Sequence, residues 1–515
     1  MSSTSTSITS PRRACVPHPT PDPSVFDLND IQGDVFPSFP KKCEWFIFFD
    51  IQDPVAFKKA LCDFIPKITT AARVMNNLKA VNLAQQPTTP AHEYQSQAPF
   101  HYGRKERKLV PLKQYQIALT KAGFDVLGVT GKLQDTDFDA GQLADAFNLG
   151  DRPGPGSTAA KFVPDWEPVW RENVLHGVIL IATESAPTCR HATAEALEIF
   201  GSTIKVVNTI EGAVRAPEPG HEHFGFLDGV SQPAMNGLVV PHTGQLQCDP
   251  GVILMGQKGD PKTRPSWAKN GTLMVFRKLQ QDVPKFDAFL KANPTKLPGL
   301  SDPEAQALTG AKLVGRWKSG TPIDLAPEKD DPAIAQDVNR INAFNYQNPT
   351  PGEARCPFAA HIRKTSPRFT TVTGLNNALP GALILRAGIP YGPEVTPMEA
   401  AAGQSTEDRG LAFVCYQSVL GNGFGTLQKV WANKVNFPPP ETTDPGRFMP
   451  GFDPVIGNAI GANRDRTVSG TDPTVESKTL DMPADFVIAK GGEYFFVPSM
   501  TALGMLSRGE TLGET

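Results

Sequence analysis

A strand-length apolar run followed by an amphipathic helix occurs twice in this chain, once near its start and again about halfway along. The first run is "WFIFFDI" at 45–51, after which Asp53-Pro54 supplies an N-cap and a first helical residue. Phe57, Leu61, Phe64 and Ile65 then fall at i, i+4, i+7 and i+8, one face of a helix that Pro66 ends or kinks. The second run is "TLMVF" at 272–276, followed by a helix carrying Phe286, Phe289 and Leu290 on one face before Pro294. Further strand-like runs are "YQIALT" and "VLHGVILIATES" in the first half, and "GALILRAG", "LAFVCYQS" and "EYFFVPS" in the second. A β-α-β-β-α-β order in each half predicts an α+β fold of two ferredoxin-like domains, antiparallel sheets with helices on one face. Length agrees, because 515 residues exceed the size at which one core stops growing. The expected organisation is a mobile tail over 1–24, a first domain over 25–235 and a second over 236–515.

Charge narrows the partners. Fifty basic against 53 acidic side chains leave a formal charge of −3, which offers no bulk attraction for nucleic acid or an anionic membrane. No run approaches the roughly 18 apolar residues that a membrane span needs. Seven cysteines, at 15, 43, 62, 189, 248, 356 and 415, are scattered without CxxC pairing and read as free thiols rather than a disulfide framework or zinc site. The N-terminal Ser/Thr/Pro-rich stretch has no apolar segment of signal-peptide type. One glycosylation sequon occurs, Asn270-Gly-Thr272. Proline and glycine concentrate in connections such as 151–157, 215–223 and 436–454, and long irregular loops in a compact protein are often functional.

Three stretches could carry chemistry. In "HFGFLDGVSQP" (223–233), Asp228 stands between Gly225 and Gly229, which permit tight backbone and close approach of a flat ligand. A turn aspartate capping amides is the plain alternative. In "RCPFAAHIRKTSPR" (355–368), Pro357 is placed to open a helix with His361 four positions later and Arg368 seven beyond it. A histidine with a guanidinium two turns away would suit an iron porphyrin and its propionates, whereas a structural histidine is the alternative. In "GALILRAGIPYG", Arg386 interrupts an apolar strand, so it either snorkels to solvent or meets an anionic or polar partner.

Together with "LAFVCYQS", "GFGTLQKVWAN" and "PGFDPVIG", these segments in this order resemble the dye-decolorizing peroxidases, above all their fungal branch, from 27–34 to near the C-terminus. The resemblance implies haem b (iron protoporphyrin IX) held mainly by the C-terminal domain, with His361 as the iron ligand and Asp453 hydrogen-bonded to its other ring nitrogen. It makes Arg368 a propionate partner, Asp228 and Arg386 the acid–base pair facing peroxide, and Leu411 and Phe413 the walls of that pocket. The implied reaction reduces hydrogen peroxide to water through a ferryl porphyrin-radical state and oxidises bulky dyes, phenols and other aromatic donors one electron at a time. Trp431 and Tyr391 match surface aromatic positions that relay those electrons. A monomer or weak homodimer is expected, with an extracellular location by resemblance, against which stands the signal-less N-terminus. Three rivals remain at this stage: a haem-thiolate peroxygenase using Cys356, since Cys-Pro occurs in such enzymes, a haem-binding or haem-delivery protein that would have no use for Asp228 and Arg386, and a haem-free ferredoxin-like stress protein, which would be colourless.

Overall fold

The computed structural model describes residues 26–84, 110–158, 160–346, 355–368, 379–438, 449–459, 466–472 and 478–513. The expected tail over 1–24 and part of the Pro-rich stretch 436–454 lie outside the described residues.

In the first half, strand β1 (Cys43–Ile51) leads into helix α1 (Pro54–Phe64). Asp53 caps this helix by accepting from the N–H groups of Val55 and Ala56. Phe57, Leu61 and Phe64 are fully buried, each contributing roughly 1.5–3 kcal/mol relative to exposure, and Pro66 converts the end into a short 3₁₀ turn. Strands β2 (Lys113–Leu119) and β3 (Gly177–Thr183), helix α2 (Ala186–Phe200) and strand β4 (Ile204–Ala213) complete the half. The second half repeats the order with β5 (Thr272–Gln281), helices α3 (Val283–Ala292) and α4 (Asp302–Val314), the short strands β6 (Leu385–Arg386) and β7 (Ile389–Tyr391), β8 (Gly410–Gln417), a π-helix (Gly421–Ala432) and β9 (Val487–Val497).

Each half has the ferredoxin-like strand order, β2-β3-β1-β4 in one and β9-β5-β8-β7 in the other, with every neighbour antiparallel. The two sheets continue into one another. Phe496 pairs with Leu119 at one seam and Gly212 with Tyr391 at the other, so the strands close into a barrel. Period-two alternation divides its side chains. Phe46, Phe48, Val178, Leu180, Met274, Phe276, Val414 and Phe495 form one core, on the inner face. Ile47, Phe49, Ile179 and Val275 pack outward beneath the helices with Phe57, Leu61, Ala192 and Phe200.

Strand β4 has no apolar run to announce it, because only Ile204, Ile210 and Gly212 of its ten residues are buried. The sequon at Asn270 is structural: Asn270 is almost buried and donates to Asp30, and the Thr272 hydroxyl donates to the carbonyl of Ile253 at 2.7 Å. The described cysteines are free thiols, and only Cys62 among them is exposed.

Candidate active site

The loop 220–233 crosses from the first half to the second and is organised by a carboxylate inside it. Half-buried Glu222 accepts from the N–H groups of Phe224 and Phe226, each at 2.8 Å, and from the Gln281 side chain. Phe224 and Phe226 then pack against Phe286 of α3, which explains the large apolar pair preceding the acid. Gly225 and Gly229 both adopt positive φ, 88° and 74°, so the chain can fold back and present Asp228. Asp228 Oδ1 accepts from the N–H of Gly229 at 2.6 Å and from Arg386 Nη1 at 2.6 Å.

Arg386 comes from the short strand β6, opposite Cys415 on β8. Leu411 and Phe413 share that face of β8, four and two positions back, and are only partly buried, whereas Ala412 and Val414 point into the barrel core. Gln232 fixes the strand by donating to the carbonyl of Arg386 at 2.6 Å and accepting its N–H at 3.1 Å. Asp228 lies deep in the fold, yet its side chain and that of Arg386 keep 33% and 30% of their area. Both side chains thus keep a face that no other protein group covers. Burial alone would raise the Asp228 carboxyl, but the Arg386 guanidinium, the Gly229 N–H and the more distant His361 outweigh it and hold it below the usual carboxylate range.

His361 opens a short helix, His361–Thr365, and keeps 27% of its side-chain area. Its Nδ1 lies 2.8 Å from Asp453 Oδ2, which places the proton on Nδ1 and leaves Nε2 as the free lone pair. Asp453 is fully buried; burial pushes its carboxyl up, but His361 and the N–H groups of Ile456 and Val455 outweigh that and lower it. The π-helix holds this assembly, because the carbonyl of its last residue, Ala432, accepts the N–H of Asp453 at 3.0 Å. Lys364, also fully buried, ties the His361 helix to the same region by donating to the carbonyls of Lys434 and Gly451, both at 2.6 Å.

Several expectations need correction here. Pro357 does not open the helix of His361, and Arg368 is not on its face: the helix ends at Thr365, Ser366-Pro367 break it, and Arg368 has φ 58°. Arg368 instead stacks on Phe344 and donates to the carbonyls of Gly244 and Asn342 and to the Asn342 side chain. Trp431 is not a surface residue; it is 4% exposed on the π-helix and stacks on Phe437 with centroids 5.0 Å apart. Tyr391 is 6% exposed, with its hydroxyl donating to Asp408 at 3.1 Å. Cys356 is packed in an apolar cluster with Leu308, Ala311 and Trp317, a setting that suits a structural cysteine.

One residue escaped sequence reasoning altogether. Arg316 is buried just beyond the glycine that ends α4, and donates to Asn342 Oδ1 at 2.9 Å, the same atom that Arg368 reaches at 3.0 Å. Burial first, then the neighbouring charges of Arg368 and Arg386, pull its guanidinium down to about 9. No carboxylate lies within ion-pair distance of Arg316 or Arg368 among the described residues. Two cations meeting at one amide oxygen, Arg316 buried and Arg368 half-buried, favour an anionic ligand. A glycine followed by arginine at a helix end carries no functional signal, so only the fold reveals it.

The partly open pair of Asp228 and Arg386 thus lies within the electrostatic reach of His361, which has Asp453 behind it, while the guanidiniums of buried Arg316 and half-buried Arg368 meet at Asn342. These residues fit a flat iron porphyrin: a nitrogen ligand, an apolar wall and cations for its carboxylates. Two family models match the chain, "DyP dimeric alpha+beta barrel domain" over residues 30–216 and "Dyp-type peroxidase, C-terminal" over 224–436. A dye-decolorizing peroxidase of Mycena epipterygia is 39% identical over 512 residues, covering 94% of this chain and 87% of the relative. One from Auricularia auricula-judae is 40% identical over 486 residues, covering 93% and 86%. A solved structure of an ancestral D-type dye decolorizing peroxidase superposes with a TM-score of 0.83 at 46% identity, covering 93% of this chain and 99% of that one. On fold, site and relatives alike, the chain belongs to the Dyp-type peroxidase family, in its fungal branch.

Proposed function

We propose that this protein is a haem b peroxidase that reduces hydrogen peroxide to water and oxidises dyes, phenols and other aromatic donors in one-electron steps. The observation that carries the reading is the Asp228–Arg386 pair at 2.6 Å lying within electrostatic reach of His361, which pairs with Asp453 at 2.8 Å. The fungal relatives named dye-decolorizing peroxidase support it. The haem, when bound, supplies the redox-active iron that cleaves the O–O bond and stores two oxidising equivalents.

The protein's own groups do the rest. His361 would hold the iron through Nε2, with the Asp453 carboxylate fixing its orientation. Arg368 and Arg316 are cations suited to the porphyrin's carboxylates. Asp228, held ionised by Arg386, takes the proton from one peroxide oxygen and returns it to the other, so that water can leave. Arg386 stabilises the negative charge that grows on the departing oxygen. Leu411 and Phe413 restrict the space to small molecules, so bulky donors deliver electrons from outside it. Trp431, the Phe437 ring stacked on it and Tyr391 are all buried, so an outside donor reaches either relay position only through intervening protein.

An absorption spectrum before and after one equivalent of hydrogen peroxide tests the reading. The expected result is a haem Soret band that changes within the mixing time and recovers on adding a phenol. A colourless protein that takes up no haem, or a band indifferent to peroxide, rejects it.

A further inference from the structure

A second polar cluster fills one end of the barrel and takes no part in the steps above. Tyr416 follows Cys415, the residue opposite Arg386, and so points to the other face of β8, into the barrel. Its hydroxyl donates to Asp34 Oδ2 at 2.6 Å and accepts from Gln116 Nε2 at 2.8 Å. All three side chains are fully buried. Lys41 Nζ lies 3.5 Å from Asp34 Oδ1 and 2.6 Å from Glu44, and donates to the carbonyl of Ala387, the residue after Arg386, at 2.8 Å. The cluster therefore touches the strand that carries the peroxide-facing arginine.

A phenol in such surroundings has one feature that packing alone does not require. Burial and then the Asp34 charge push the Tyr416 pKa well above its ordinary value, so the hydroxyl stays protonated at every working pH. Loss of one electron would leave a buried radical cation, a costly species unless a base takes the proton at once. Asp34 is that base, at hydrogen-bond distance. Other described tyrosines also meet carboxylates: Tyr494 donates to Asp145 at 2.8 Å and Tyr115 to Glu195 at 3.1 Å. Tyr416 has the shortest of these bonds, and a second donor on its oxygen. It is also one residue from the rung shared with Arg386.

We propose that Tyr416 is an internal redox site, oxidised by one electron once peroxide has oxidised the enzyme and no donor has arrived, with its proton passing to Asp34. The inference rests on the peroxidase reading. The O–H bond of Tyr416 breaks and one forms on Asp34 Oδ2, while the electron cancels one of the two oxidising equivalents that a molecule of peroxide leaves on the enzyme. Gln116 donates to the resulting neutral radical oxygen. An electron from an aromatic donor, with return of the same proton, restores the phenol.

Freeze-quench electron paramagnetic resonance of the haem-loaded protein, one equivalent of hydrogen peroxide and no donor, tests this. The wild type is expected to give a tyrosyl signal that falls by more than half in Tyr416→Phe and in Asp34→Asn, and is kept in Tyr494→Phe. Gln116→Leu should shift the largest g-value of that signal upward, because the radical oxygen loses a hydrogen bond, and this variant carries the test if Tyr416→Phe does not fold. A Tyr416→Phe signal equal to wild type, or a g-value unmoved in Gln116→Leu, overturns the proposal. The Soret change with peroxide separates the two readings. If it is present while the signal ignores Tyr416, only this inference fails; if it is absent from the wild type, the peroxidase reading fails and this one with it.

Discussion

Asp228 is pulled in two directions, and the balance decides what it can do. Burial favours the neutral acid, but Arg386 at 2.6 Å and the Gly229 N–H favour the carboxylate and prevail. The base form should therefore persist below the ordinary aspartate value of about 3.9. The acid limb of kcat/KM for peroxide is expected below that pH. In Arg386→Leu the burial effect is opposed only by the Gly229 N–H and the more distant His361, so the limb should move to higher pH, read from the same pH–rate profile. Asp228→Asn removes the proton carrier and should cost roughly 10²–10⁴-fold in peroxide turnover with the Soret band retained. Asp453→Asn leaves His361 without its carboxylate and should cost about 10–100-fold in activity or haem affinity, measured by haem titration. Of these residues the sequence exposed Asp228, His361 and Arg386 as oddities, but each had a plain alternative reading. Only the resemblance made Asp453 a candidate, and nothing made Arg316 one, because a buried cation is visible only once its surroundings exist.

At the scale of elements, the strands and helices with clean periodicity are where the sequence put them: "WFIFFDI" and "TLMVF" lie in β1 and β5, and Phe57, Leu61 and Phe64 face the core. Short or irregular elements were not legible. Strand β6 falls within the strand-like run "GALILRAG", but β7 spans only three residues, and the π-helix is defined by bonds such as Gly425 N–H to Leu420 O at 2.8 Å, which no side-chain period announces. Strand β9 contains another such feature. Its register shifts between Ala489 and Gly491, and Trp170 lies so close that a Cβ on Gly491 would sit 2.1 Å from its ring. Gly491→Val is expected to destabilise the fold by about 1–3 kcal/mol or more, seen as a lower Tm, because neither the bulge nor the indole has room to yield.

For the whole molecule, the closed barrel makes the two halves one cooperative unit. Each seam is a single strand pairing, Phe496 with Leu119 and Gly212 with Tyr391, so most of the holding is done by shared side chains. Phe46 and Phe48 of the first half pack in the same core as Phe276 and Phe495 of the second. Gln32 spans one seam by donating to Ile117 and Pro498 carbonyls at 3.0 and 2.8 Å. Far-UV circular dichroism and the Soret band should therefore melt together in one transition. Two transitions would show that the halves fold independently.

The sequence by itself determined the repeated α+β halves, because side-chain period is a local property that each segment expresses without its neighbours. It also determined the presence of an acid, an imidazole and a guanidinium in unusual apolar surroundings. Tertiary structure decided that the halves share a barrel, that Trp431 and Tyr391 lie beneath the surface, that Arg316 joins Arg368, and that Tyr416 meets Asp34. Those outcomes depend on residues far apart in the chain approaching within hydrogen-bond or packing distance, and such proximity is set by chain closure and mutual burial rather than by any pattern along the sequence.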